Sequence, residues 1–117
     1  MAMTFDPKRF LITTTLGTAV VVAMAWPAAA QDAAKGQAVY TAQKCQMCHA
    51  IAGKGNVKGP LDDVGAKYNA ADLKAWIVDA KGMTVKTKAP RKPEMKNYTL
   101  PDADVDALVA YMATFKK

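Results

Sequence analysis

The sequence is poor in the residues that build multi-histidine metal sites and disulfide scaffolds: its 117 residues include one histidine and two cysteines. A single imidazole excludes sites that need two, such as histidine-rich zinc sites and di-iron carboxylate–histidine bundles. Two cysteines are too few to staple a disulfide-dense scaffold. Hydrophobic residue types make up 51% of the chain, which excludes a disordered polar protein, and the length indicates a single domain.

The charge balance is basic without being extreme. Sixteen lysines and arginines stand against 10 acidic residues, for a formal net charge of +6. An excess of this size favours acidic partners. It is modest for a nucleic-acid-binding protein, so we expect no nucleic acid among the partners.

Residues 1–30 have the pattern of a secretory signal peptide. A short basic segment precedes an uncharged run over residues 10–26, and an A-x-A-type cleavage site ends at Ala30. Cleavage there leaves residues 31–117 as the mature domain, exported to the periplasm or another extracytoplasmic space. The alternative is an uncleaved anchor, through which alone we expect contact with a membrane. The uncharged run is at the short end of the spanning range of roughly 17–25 residues.

Helical periodicity predicts an all-α domain with three main helices and no strands. The first helix is predicted over residues 32–44, the second begins at Asn69, and the last covers residues 102–115. Residues 50–68 and 82–99 are predicted loops, because glycine and proline interrupt them. Three short helices make a thin core, and loops this long are unusual unless they wrap something. The sequence therefore predicts a large apolar ligand that replaces missing core.

The segment CQMCH at residues 45–49 is typical of covalent haem attachment. Cys45 and Cys48 are three positions apart on a helical turn, so both thiols can reach the vinyl groups along one haem edge. His49 then lies beneath the porphyrin, with its imidazole directed at the iron. We therefore predict one haem c, bound through two thioethers.

Three other interpretations of the same residues stay open. A redox-active dithiol normally lies in a βαβ pattern, and no strand is visible here. A zinc site would need a fourth ligand beyond Cys45, Cys48 and His49, and the chain has no further cysteine or histidine. A plain structural disulfide is the third interpretation.

The sixth iron ligand must be something other than a second histidine. A methionine thioether suits low-spin haem iron and raises its reduction potential. Met83 and Met95 both fall in the second predicted loop, and Met95 is preferred because the loop leading into the last helix can place it over the opposite haem face. Met47 is inside the attachment motif, and Met112 is expected in the core. Lysine, water and an empty position remain alternatives.

These motifs resemble, in their order, those of a class I, monohaem cytochrome c of the bacterial type. The resemblance begins near Lys35 and continues to the end of the chain. It is carried by the segments KGQAVY at 35–40, CQMCH at 45–49, GPL at 59–61, EM at 94–95, LPDADV at 100–105 and LVAYM at 108–112.

The resemblance implies the small cytochrome c fold, with three main helices wrapped around a covalently bound haem. It implies that the first and last helices cross near Gly36, where a glycine permits close backbone approach. It also implies that the ring and carbonyl of Pro60 orient His49 and that Met95 is the axial methionine. The metal ligands would then be His49 and Met95.

The implied activity is one-electron transfer between Fe(II) and Fe(III), which makes the protein an electron carrier rather than an enzyme. We expect a monomer with no small-molecule substrate, whose partners are acidic redox proteins such as a reductase, an oxidase or a dehydrogenase. The alternative function is a five-coordinate haem protein acting as a peroxidase or gas-ligand sensor. A haem-free thiol–disulfide protein of the cell envelope is a further alternative.

Two groups of side chains have both a functional and a structural interpretation. Trp76, Tyr68 and Tyr98 either donate hydrogen bonds to the haem propionates or fill the core. A cationic group around the second predicted loop either steers acidic partners or is a solvated surface. Its members are Lys81, Lys86, Lys88, Arg91, Lys92 and Lys96.

Overall fold

The computed structural model describes residue 17 and residues 28–117. The predicted signal peptide at residues 1–30 lies almost wholly outside these residues and stays a prediction. The elements are α1 (Ala28–Ala42), a 3-10 turn (Cys45–Met47), β1 (Ala50–Ile51), β2 (Lys54–Gly55), α2 (Val64–Lys67), α3 (Ala70–Val78), α4 (Ala80–Thr87) and α5 (Asp102–Ala113). The predicted all-α class is confirmed. Within the described residues, no helix has the length and apolarity needed to cross a membrane.

Both predicted loops contain regular structure that the sequence analysis missed. The first holds α2 and a small antiparallel hairpin, in which Ala50 pairs with Gly55 and Ile51 with Lys54. Strands of two residues are too short to leave an alternating pattern, so the prediction of no strands is wrong. The second loop begins only after α4, whose N-cap Asp79 accepts a hydrogen bond from the backbone N–H of Gly82 at 3.2 Å.

The boundaries of the three predicted helices hold to within a few residues. Helix α1 begins at Ala28, before the predicted start at residue 32, because alanines precede that position and favour helix. Helix α3 begins as predicted: the Asn69 side chain accepts a hydrogen bond from the Asp72 N–H at 2.9 Å. Helix α5 starts after Pro101 and carries acidic residues in its first turn, which complement the helix dipole.

Helices α1 and α5 pack closely at Gly36, as predicted. A Cβ atom on Gly36 would lie 2.6 Å from Cβ of Tyr111, so no larger residue fits without displacing α5. The Tyr40 and Tyr111 rings meet edge to face beside this contact, with centroids 6.0 Å apart. The contact fixes the end of α1, from which the CQMCH segment continues.

The core is small and lies between α1, α3 and α5. Its buried members are Val39, Tyr40, Leu73, Ile77, Val105, Leu108 and Met112. Five of them, Tyr40, Leu73, Ile77, Leu108 and Met112, also border a large cavity. The core is therefore continuous with the wall of that cavity, as expected for a domain that encloses an apolar ligand.

Candidate haem site

The CQMCH segment forms a tight turn directly after α1. Lys44 adopts a left-handed conformation with φ 56°, which ends the helical path. The N–H groups of Cys48 and His49 both donate to the Cys45 carbonyl, at 3.1 and 2.9 Å. These bonds place both thiols on one turn, and both cysteines are free thiols in the structure. Burial raises the pKa of the half-buried Cys45 thiol.

Asn56, which directly follows the β-hairpin, holds this turn by hydrogen bonds. The Asn56 N–H lies 3.0 Å from the carbonyl oxygens of both Gln46 and His49, and the Asn56 side-chain amide donates to the Met47 carbonyl at 3.1 Å. Gly55 has φ 109°, and a Cβ there would collide with the His49 carbonyl. This support leaves no signal in the sequence, because strands of two residues show no alternating pattern.

The His49 ring is oriented by a backbone carbonyl. Its Nδ1 lies 3.1 Å from the carbonyl oxygen of Gly59, which also accepts the Ala50 N–H at 3.0 Å. A proton on Nδ1 leaves the Nε2 lone pair available for a metal. Burial lowers the pKa of His49 and so favours the neutral, ligating form. The resemblance implied the Pro60 carbonyl for this role, whereas the structure places the carbonyl of the preceding residue there.

One cavity of about 970 Å³ brings the predicted site residues together. This volume is at the upper end of the roughly 300–1,000 Å³ typical of ligand pockets. Cys45, Cys48, His49, Pro60 and Met95 all line it. Its apolar wall comes from α3 and α5, through Leu73, Trp76, Ile77, Leu108 and Met112. The cavity thus has the apolar lining that a porphyrin requires.

The structure separates the two candidate methionines. Met95 borders the cavity, whereas Met83 is 5% exposed inside α4 and is not among the lining residues. Hydrogen bonds hold the chain just beyond Met95: Tyr98 N–H donates to the Ile77 carbonyl at 2.9 Å, and Asn97 accepts from the Lys81 N–H at 3.0 Å. Ligation by Met95 stays a prediction that this placement favours.

A polar atom in the cavity wall lacks a partner. The Trp76 Nε1 is buried and has no hydrogen-bond partner among the described residues. A buried donor left unsatisfied destabilises a protein by about 1–3 kcal/mol. A ligand that brings an acceptor into the cavity would remove this penalty, and a haem propionate is such an acceptor. Tyr68, whose ring is 6.2 Å from that of Trp76, and Tyr98 line the same cavity.

The cationic group divides into two parts. Arg91, Lys92 and Lys96 line the cavity, whereas Lys81, Lys86 and Lys88 lie on α4 and at its end. The cations that border the cavity, here called the rim cations, are Lys44, Lys58, Lys67, Arg91, Lys92 and Lys96. Three of them, Lys44, Lys58 and Lys67, lie outside the second predicted loop. Their proximity to the cations of that loop is not visible from the order of residues in the sequence.

The zinc interpretation gains no support from the geometry. Within residues 28–117, no three or more histidine, cysteine, aspartate or glutamate side chains converge as a metal-binding cluster. The residues instead fit a haem: Cys45 and Cys48 on one turn, the oriented His49, Met95 and Trp76 with its unpartnered donor all line one apolar cavity.

Comparisons with known proteins agree with this site. A family model described as Cytochrome c matches residues 33–116. The chain is also 31% identical over 91 residues to cytochrome c oxidase subunit 2 of Alkalihalophilus pseudofirmus, an alignment that covers 70% of this chain and 25% of that protein. The chain thus matches about a quarter of the length of this curated relative. No solved structure matches the chain significantly. Because the family model covers well over half of the sequence, the chain belongs to the cytochrome c family.

Proposed function

We propose that the protein is an extracytoplasmic one-electron carrier with a single covalent haem c. Cys45 and Cys48 would form the thioethers, with His49 and Met95 as the two iron ligands. The haem supplies an Fe(II)/Fe(III) couple. The observation that carries the proposal is the convergence of these four side chains on one apolar cavity.

The chain's own residues set the conditions for electron transfer. The Gly59 carbonyl holds the Nδ1 proton of His49 and so fixes the ring that faces the cavity. Leu73, Ile77 and Leu108 keep water from the inner wall. If His49 and Met95 held the iron in this apolar cavity, their ligation would disfavour the additional positive charge of the oxidised form. We therefore expect a fairly high reduction potential and no open position for substrate.

The proposed partners are acidic redox proteins. The rim cations border the cavity, and a field of one sign accelerates the encounter with an oppositely charged surface. Glu94 opposes them locally through its ion pair with Lys92. The similarity to part of a cytochrome c oxidase subunit supports an oxidase among these partners.

The role of Met95 is tested by a matched pair of substitutions, Met95→Leu and Met83→Leu. Each removes one thioether and replaces it with a side chain of similar volume, a change that destabilises a core by less than about 1.5 kcal/mol. We expect the ferric protein to show a low-spin iron–thioether absorption band that Met95→Leu abolishes and Met83→Leu retains. Loss of the band in Met83→Leu alone would contradict the assignment. A high-spin wild-type spectrum would favour the five-coordinate alternative.

A further inference from the structure

Arg91 differs from the other cations of its segment. It is half-buried, whereas Lys88, Lys92 and Lys96 are exposed. Within the part of the chain that the structure describes, no carboxylate forms an ion pair with it. Electrostatic pairing with an acidic residue therefore does not explain why this side chain turns inward.

The contact that Arg91 makes is with the backbone of Gly59. A Cβ atom on Gly59 would lie 2.8 Å from the guanidinium Cζ, so the planar head occupies the space that a side chain would need. The same Cβ would collide with the Cys48 carbonyl. A glycine at this position permits the close approach of both groups.

Gly59 is also the residue that orients His49. Its carbonyl oxygen lies 3.1 Å from His49 Nδ1 and 3.0 Å from the Ala50 nitrogen. Arg91 thus packs against the residue that holds the proximal imidazole.

Arg91 belongs to the segment that carries Met95, residues 88–101, between α4 and α5. The two ends of this segment are fastened by backbone hydrogen bonds, from Ala89 N–H to the Thr84 carbonyl at 3.0 Å and from Tyr98 N–H to the Ile77 carbonyl at 2.9 Å. Arg91 lies between these two ends and adds a third point of attachment. It joins the segment to Gly59, the residue that orients His49.

We propose that Arg91 is a positioning residue that fastens the Met95 segment to Gly59 and so holds the two axial-ligand sides of the cavity together. The inference rests on the proposed haem function. Without the Arg91 contact, the middle of the segment loses its attachment to the His49 side, and Met95 leaves the iron more readily. An external ligand would then replace Met95 more easily.

The test compares Arg91→Gln, Arg91→Lys and the control Lys86→Gln in the haem-bearing protein. Lys86→Gln removes the same charge, but Lys86 lies on α4 and does not line the cavity. Its Nζ forms an exposed ion pair with Asp72 Oδ1 at 3.7 Å. Such a pair contributes little to stability. Imidazole is titrated into each ferric protein, and its affinity is measured from the visible absorption spectrum. The midpoint potential and the unfolding temperature are recorded for the same samples.

We expect Arg91→Gln to bind imidazole about tenfold more tightly than wild type and to have a lower midpoint potential. Arg91→Lys keeps the charge without the planar head, so it should retain most of the potential but bind imidazole more tightly. Lys86→Gln should match wild type. A lower unfolding temperature with unchanged imidazole affinity would indicate a merely structural role and overturn the proposal.

The possible failures of this inference and of the proposed function are distinguishable. A wild-type protein without haem would overturn both. A haem-bearing wild type, with Arg91→Gln equal to Lys86→Gln in imidazole affinity, would overturn only the role of Arg91. If Arg91→Gln does not accumulate, Arg91→Lys decides the matter, and wild-type imidazole affinity in that variant would contradict the proposal.

Discussion

Tyr40 illustrates how single side chains connect the core to the attachment turn. It is 7% exposed, and its hydroxyl lies 3.4 Å from the His49 carbonyl oxygen. Burial, with smaller effects of the Cys45 thiol and Tyr111, raises the pKa of Tyr40 to about 12. The folded protein therefore keeps the phenol neutral at pH values where an unfolded chain would ionise it.

This pKa shift predicts a loss of stability in alkaline solution. Above pH 10 the unfolded state releases the Tyr40 proton while the folded state retains it, so the free energy of unfolding falls as the pH rises. Between pH 10 and 12, wild type should lose stability relative to Tyr40→Phe by on the order of 1 to 2 kcal/mol. Denaturant unfolding of both proteins across this range measures the difference. Parallel pH dependences would contradict the assignment.

Single residues also mark the limit of what the sequence could predict. Cys45, Cys48 and His49 are identifiable because their chemistry depends on spacing along the chain, which is visible without a structure. The Gly59 carbonyl, the unpartnered Trp76 Nε1 and the inward-turned Arg91 are not visible in this way. Each depends on a contact between segments far apart in sequence.

The helices show the same distinction between local and distant information. The start of α3 was predictable because Asn69 and Asp72 form a cap within one turn. Helix α4 was missed because it contains a glycine and β-branched residues and follows α3 after a single residue, Asp79. Its existence places Met83 at a buried position of a helix rather than in a loop, which distinguishes Met83 from Met95.

The packing of α1 against α5 predicts an unusual response to a glycine substitution. Gly36→Ala raises helix propensity by about 1 kcal/mol, yet its Cβ would enter the space held by Ala107 and Tyr111. Overpacking of this kind typically destabilises a protein by about 1–3 kcal/mol, and we expect it to exceed the propensity gain. Thermal unfolding of the haem-bearing protein measures the net effect of the propensity gain and the overpacking penalty on stability. Ala38→Gly, at an exposed position of the same helix, calibrates propensity alone. A stabilised Gly36→Ala would show that the helices do not pack this closely.

Residues 28–117 form a helical domain whose small core continues into the wall of a large cavity. The core cluster borders that cavity on the α3 and α5 sides, and the attachment turn and the Met95 segment complete the lining. The fold class could be anticipated from helical periodicity, and the thin core and long interrupted segments indicated a large cavity such as the one observed. The arrangement of the rim cations could not be anticipated, because they come from four separate segments of the chain.

The rim cations predict a salt-dependent reaction with a partner. If they steer an acidic redox protein, the second-order rate of electron transfer should fall as ionic strength rises, because the Debye length falls from about 10 Å at 0.1 M to 3 Å at 1 M. Stopped-flow mixing with an acidic and a neutral acceptor measures this dependence. A flat or rising profile with the acidic acceptor would contradict the steering role of the cations.

The central claim is that a porphyrin is bonded through sulfur to Cys45 and Cys48 and occupies the cavity between α3, α5 and the Met95 segment. The most direct measurement is the intact mass of the protein purified from cells with a working haem-attachment apparatus. We expect the mass of the exported chain plus one haem, and the bare chain mass for the Cys45→Ala, Cys48→Ala double variant. A colourless, folded wild-type protein with the mass of the bare chain would contradict the account.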